Sequence, residues 1–185
     1  MPPYTKTVVR QRFRALRREQ VPGRDRARDA AELALSALEV AYAAGLASGD
    51  WVAAYEATPL EPPTEAMVAA LSARGIRVMV PVTLEDWDLD WREVGTEDRL
   101  GTDAIGRAKV VFLPAHGVDR SGTRIGQGKG CYDRVVPRTN ARLVAVVHPW
   151  ELLDEELPSE PHDRRVHAAM AAEVGVVDVG DADVG

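Results

Sequence analysis

Residues 51–82 read WVAAYEATPLEPPTEAMVAALSARGIRVMVPV, and this stretch decides the fold. Trp51 to Tyr55 (WVAAY) is short, apolar and bounded by Gly49-Asp50, so it predicts a buried strand. Thr64 to Arg74 reads as a helix, with Thr64 placed as its N-cap and Gly75 just past its end. Ile76 to Val82 (IRVMVPV) is the next strand. Outward from here the pattern continues. Asp86 to Trp91 (DWDLDW) alternates strictly, which puts Trp87, Leu89 and Trp91 on one face of a half-buried antiparallel strand in a hairpin. Lys109 to Leu113 and Arg142 to Val147 (RLVAVV) are further buried strands.

Toward the N-terminus, Thr5 to Gln20 carries an apolar stripe of Val8, Val9, Phe13 and Leu16 and reads as a helix. Its other faces hold Lys6, Arg10, Arg12, Arg14, Arg17 and Arg18, and Pro22-Gly23 ends it. Asp25 to Ala47 is a second helix, stopped around Gly45 to Gly49. Helices therefore alternate with strands that are apolar on both faces. That is an α/β protein, three layers α/β/α with a mixed, largely parallel sheet. Ligands of such sheets bind beyond the C-terminal ends of the strands. Two segments follow strand ends here, Glu56 to Thr64 and the long loop from Pro114 to Cys131.

The 185 residues fit a single domain over 1–185 with an acidic C-terminal tail from about residue 178. Apolar residues make up 45%, enough to bury a core. The net charge of −6 does not favour a nucleic-acid partner. No apolar run approaches membrane-spanning length, and the N-terminus lacks the apolar stretch of a secretory leader. The one cysteine, Cys131, suits a reducing compartment, so a cytoplasmic location is expected. No heptad pattern sets an oligomeric state.

Arg124 to Arg134, RIGQGKGCYDR, is the stretch richest in chemistry. Gly126, Gly128 and Gly130 let the backbone bend tightly, so that consecutive N–H groups can form an anion nest with Lys129 inside it. A short helix from Cys131 to Val136 would point its N-terminus at the same anion. The run is not a Walker A loop, because Gly130 stands where Ser or Thr is needed, and its spacing is not that of a dinucleotide fingerprint. Taken alone it also fits a flexible surface hairpin with an incidental lysine. Asp133 beside a phosphate loop calls for a cation between the two, such as Mg²⁺. Equally, it could pair with Arg134 or stabilise the helix start.

These residues resemble the signature of the 5-formyltetrahydrofolate cyclo-ligase family, whose loop runs Arg-Leu-Gly-x-Gly-Gly/Lys-Gly-Tyr-Tyr-Asp-Arg. Three further motifs agree in order: Lys6 and Arg10 on the first helix, Pro59, Glu61 and Thr64 after the first strand, and Pro158, Glu160, His162 and Asp163 near the C-terminus. Asp119 to Gly122 matches the Asp-x-x-Gly that precedes the loop. The resemblance implies the α/β fold and ATP-dependent cyclisation of 5-formyltetrahydrofolate to 5,10-methenyltetrahydrofolate with release of ADP and phosphate; whether polyglutamylated forms are preferred is not set by the sequence.

It also implies the following roles. Lys6 and Arg10 bind ATP phosphates, and the nucleotide is wrapped by Arg124, Ile125, Gly126, Gln127, Gly128, Lys129, Gly130, Cys131 and Tyr132. Lys129, Arg124 and Lys6 are the catalytic cations, Lys129 on the transferred phosphate. Thr58, Glu61 and Tyr132 bind the folate. Asp133 and Asp163 hold Mg²⁺. Cys131, where the family has an aromatic residue, is a departure, as are His116, Val118 and His167. A related ATP-using enzyme on another small molecule, or a non-catalytic folate- or nucleotide-binding protein, are the competing functions.

Other patterns fall away. Asp86, Asp88 and Asp90 imitate a calcium loop, but Trp91 occupies the position where glycine must turn the chain. Cys131 lacks a nucleophile signature. Four histidines are too few for a His-Asp phosphohydrolase centre.

Overall fold

The computed structural model describes residues 4–180. Helix α1 spans Lys6–Gln20 and is capped by Thr5, whose hydroxyl accepts the Val8 N–H. Helix α2 spans Arg26–Ala43, with Asp25 as N-cap. Then follow β1 (Trp51–Ala53), α3 (Glu65–Ala73), β2 (Arg77–Thr83), β3 (Leu89–Glu93) and β4 (Ala108–Pro114). The C-terminal half holds β5 (Gly117–Asp119), β6 (Arg124–Ile125), α4 (Cys131–Val135), β7 (Arg142–Val146), β8 (Leu152–Leu153), β9 (Ala168–Ala171) and β10 (Gly175–Asp178).

Seven strands form one sheet in the order β10-β9-β7-β4-β1-β2-β3. The five central strands are parallel. β3 and β10 close the two edges antiparallel. This is the mixed, largely parallel sheet that two-sided apolar strands require. On one face α2 and α3 bury Leu33, Ala37, Val40, Met67 and Leu71 against Val52, Val78, Val110, Phe112 and Val144. The opposite face is covered by shorter pieces: a 3-10 turn at Thr102–Arg107, helix α4 and a small second sheet of order β6-β5-β8. α1 lies on that small sheet through Val9 and Phe13, which pack with Ile125 and Leu157.

Several local expectations change. The loop from Pro114 to Cys131 contains β5 and β6 rather than irregular chain throughout. Strand β3 begins at Leu89, and Trp87 is in the preceding turn at φ 67°, apart from the buried face of Leu89 and Trp91. The alternation misled because two aspartates flank the turn and their carboxylates accept local N–H groups. Arg17 does not face solvent. It is buried against Glu151, Nε to Oε1 at 2.6 Å, and it donates to the Ala115 carbonyl. Thr64 stands at the N-cap of α3, yet its hydroxyl donates to Tyr55 O at 2.6 Å and caps nothing. Helix α2 stops at Ala43, four residues before the expected end. At the C-terminus Asp178 ends β10 and Val179 is buried. Residues 181–185 lie outside the described residues.

Candidate active site

A cleft of about 840 Å³ opens beyond the C-terminal ends of β1, β2 and β4, where Tyr55, Thr83 and Pro114 reach its wall. The loop Gly126–Gly130 and the segment Pro158–Asp163 form the rest of the rim, together with the first turn of α1.

The glycine loop is held from behind. Arg10 Nε donates to the Gly126 carbonyl at 2.9 Å and Arg14 to the Gln127 carbonyl at 2.9 Å. Two arginines one helical turn apart thus bind the carbonyl side of the bend. Among the described residues, no N–H of 126–130 donates to another protein atom. A bend with its carbonyls engaged and its N–H groups unengaged has donors to offer an anion. Gly128 has φ 100° and Gly130 φ 73°, which side chains other than glycine seldom adopt. A Cβ at Gly128 would lie 3.4 Å from the Arg10 guanidinium, and one at Gly126 only 2.8 Å from an Arg124 nitrogen.

Arg124 lies beneath the loop with its side chain almost fully buried, 3.6 Å from Asp133. Burial lowers its pKa against the opposing pull of Asp133, but a guanidinium stays charged at any physiological pH. Its neighbour Tyr132 lines the cleft, and burial pushes that phenol well above its ordinary pKa. Lys129 is exposed, its ammonium 4.7 Å from the centre of the Trp87 ring.

At the other rim, Lys6 Nζ lies 2.6 Å from Asp163 and 3.2 Å from Glu160. Burial would lower the Lys6 pKa, but hydrogen bonds to the two carboxylates outweigh it and raise the value. Ligand atoms of Glu160, His162 and Asp163 lie within 4.8 Å of one another. This set of two carboxylates and an imidazole can take a divalent cation. The structure groups Asp163 with these residues, and Asp133 is not among them.

Glu61 is only 5% exposed and faces the cleft. Its carboxylate accepts the Thr58 N–H at 3.2 Å and the Gln127 side-chain amide at 3.1 Å, which ties the β1 loop to the glycine loop. Arg26 holds the Glu61 carbonyl at 2.9 Å.

Most of the residues singled out in the sequence meet at this cleft: Lys6, Arg10, Glu61, Arg124, Gly126, Gln127, Gly128, Lys129, Gly130, Cys131, Tyr132, Asp133 and Asp163 all line it. Two do not. Ile125 is fully buried under α1 and packs with Phe13, since the strand alternation turns it inward. Thr58 is exposed and reaches Glu61 through its backbone N–H, so it positions the carboxylate rather than facing the cleft. The sequence reading missed Tyr55 and Trp87, both on the cleft wall. Tyr55 is the residue at which the β1 segment runs out toward the ligand side, which the strand-end rule could have singled out.

A model of the 5-formyltetrahydrofolate cyclo-ligase family matches residues 3–172. A protein of Mycolicibacterium smegmatis called 5-formyltetrahydrofolate cyclo-ligase is 36% identical over 151 residues, 70% of this chain and 77% of that one. Among solved structures, the 5,10-methenyltetrahydrofolate synthetase of Aquifex aeolicus superposes with a TM-score of 0.71 at 16% identity, covering 97% of this chain and 95% of that one. The enzyme of the same name from Mycoplasma pneumoniae gives 0.68 at 15% identity, covering 90% and 97%. At such identities the two superpositions speak for the fold.

Proposed function

Because this chain belongs to the 5-formyltetrahydrofolate cyclo-ligase family, a family of enzymes, we propose that it converts 5-formyltetrahydrofolate and ATP to 5,10-methenyltetrahydrofolate, ADP and phosphate. The observation that carries this is the loop 126–130, whose unengaged N–H groups, with Lys129 and Arg124 on the same cleft wall, have the sign a triphosphate needs.

The chemistry sets the task. The N5-formyl group is an amide, so its carbon is a poor electrophile and its oxygen a poor leaving group. Transfer of the γ-phosphoryl group to that oxygen makes it a good one. N10 then attacks the formyl carbon, the C–O bond breaks, phosphate departs with the former formyl oxygen, and the N10 proton is lost to solvent. Charge shifts among phosphoryl oxygens throughout, so the protein contributes positioned cations and N–H donors and no nucleophile. Lys6 and Arg10 hold the phosphate chain, Lys129 meets the transferred group, and Arg124 supports it from beneath. Glu61 and Tyr132 bind the folate, with Thr58 orienting Glu61. Asp133, and Asp163 with Glu160 and His162, are the carboxylates and imidazole that would hold magnesium, which supplies neutralising charge to the phosphates.

The half-buried Cys131 in the cleft wall favours one alternative, a related enzyme using ATP on another small molecule. A non-catalytic folate or nucleotide binder is the third reading, and a phosphate cation beside carboxylates speaks against it. No helix among the described residues is long and apolar enough to cross a membrane. We place the protein in the cytoplasm as a single domain, acting on a free folate, polyglutamylated or not, with no nucleic-acid or membrane partner.

Mixing the protein with 5-formyltetrahydrofolate, ATP and Mg²⁺ should produce the near-ultraviolet absorbance of the methenyl product. Folded protein that binds ATP and yields no signal would favour the alternatives.

A further inference from the structure

Trp87 has no place in the core. It is 45% exposed, and its φ of 67° is one that a tryptophan seldom takes. The turn around it is firmly tied. Its N–H donates to Leu84 O at 3.1 Å, and the Leu84 N–H to Asp88 O at 2.9 Å. Asp86 accepts the Asp88 N–H, and Arg138 grips both oxygens of Asp88 at 2.8 Å each. An unfavourable backbone held by so many bonds is commonly tied to a site. The indole lies on the cleft wall.

Lys129 sits over that indole, 4.7 Å from the ring centre. Lys6 and Lys109 each pair with a carboxylate, whereas Lys129 pairs with none among the described residues. Its two glycine neighbours give the backbone room to turn, and the tryptophan is fixed.

We propose that Trp87 is a positioning residue: its indole seats the Lys129 ammonium until a phosphate claims it, and then offers the vacated face to the flat pyrimidine ring of the reduced folate. The inference rests on the cyclo-ligase reading, since it takes Lys129 as the phosphate cation. An ammonium over an aromatic quadrupole is held more weakly than one against a multiply charged triphosphate. Nucleotide binding therefore draws Lys129 off the ring. The exposed face lies in the same cleft as Glu61 and Tyr132, where the planar pyrimidine ring of the folate can stack on it. The two ligands then bind with positive coupling, which is reciprocal.

Calorimetric titration of 5-formyltetrahydrofolate, with and without a non-hydrolysable ATP analogue and Mg²⁺, tests this. The parent should bind the folate about 5-fold or more tightly when the analogue is present. In Trp87→Ala that factor should fall toward one, and Trp87→Phe should restore most of it. Emission of the parent minus that of Trp87→Phe should change on adding the analogue, and this change should vanish in a Lys129→Met background. Full coupling retained in Trp87→Ala, or an analogue-insensitive Trp87 emission, would overturn the proposal. Weakened binding of the analogue rather than of the folate would overturn the assignment of the ring to folate. Turnover of the parent is measured alongside. A parent that makes no methenyl product defeats the cyclo-ligase reading itself, while a parent that turns over with Trp87-independent coupling defeats only the role of Trp87.

Discussion

Lys6 and Asp163 face each other across the cleft rim at 2.6 Å, the ammonium of the first helix on a carboxylate far along the chain. In the proposed mechanism they serve opposite signs, Lys6 the phosphates and Asp163 the metal. Without ligands they neutralise each other. Replacing Lys6 by Ala should lower kcat/KM about 100-fold, in the range of a lost charge-stabilising contact in the transition state. Asp163→Asn should raise the Mg²⁺ concentration needed for half-maximal rate. Steady-state rates over a magnesium series check both, and unchanged magnesium dependence in Asp163→Asn would remove that residue from the metal site.

The glycine loop resists a side chain at two positions for different reasons, backbone conformation at Gly128 and close approach at Gly126. Gly128→Ala places a Cβ 3.4 Å from the Arg10 guanidinium on a backbone at φ 100°, and Gly126→Ala drives one to 2.8 Å from Arg124. A side chain at positive φ costs about 1–2 kcal/mol. The bend should respond by rotating its N–H groups away from the cleft. Nucleotide affinity is expected to fall about 10-fold or more in each variant, a loss of about 1.4 kcal/mol, with the far-ultraviolet circular dichroism unchanged. Parent-like affinity in Gly128→Ala would show that the nest is not used.

Arg17 and Glu151 form a buried pair that fastens α1 to the chain after β7, with Glu151 also accepting the His148 N–H at 2.9 Å. Glu151→Ala leaves a guanidinium buried without its partner. Such losses cost about 3–5 kcal/mol, which urea denaturation should read as a large drop in midpoint. The apolar double replacement Arg17→Met with Glu151→Leu should lose far less, because no charge is left stranded.

His148 gives a pH signature. Burial, with Arg17 and Arg24 nearby and against a hydrogen bond to the Leu60 carbonyl, lowers its pKa from 6.5 to about 4. A histidine held neutral in the fold contributes stability that is present above pH 6.5 and lost as pH falls toward 4. At about 1.4 kcal/mol per unit the effect is on the order of 3 kcal/mol. His148→Gln should flatten the fall in stability over that window, and an identical acid profile would contradict the assignment. Leu60 precedes Glu61, so the variant should also weaken folate binding.

The sheet was legible because its strands are apolar on both faces, and Val52, Val78, Val110 and Val144 do pack under α2 and α3. The cleft was legible because Gly126, Gly128 and Gly130 repeat around Lys129, and the ends of β1 and β4 open onto it. What escaped depended on partners distant in sequence. Arg17 looks like any helix-surface arginine until Glu151 arrives from far down the chain. Trp87 fits a strand alternation until Arg138 clamps Asp88 and turns the chain. Ile125 belongs to the loop motif, yet strand periodicity and the Phe13 ring take it into the core. Local pattern fixes none of these, since tertiary contacts override it.

In the proposed reaction the formyl oxygen becomes a phosphate oxygen. 5-Formyltetrahydrofolate labelled with ¹⁸O in the formyl group, turned over with ATP and Mg²⁺, should yield inorganic phosphate carrying one ¹⁸O atom per methenyl product formed, as mass spectrometry would read. Unlabelled phosphate released in step with the methenyl product would contradict the account.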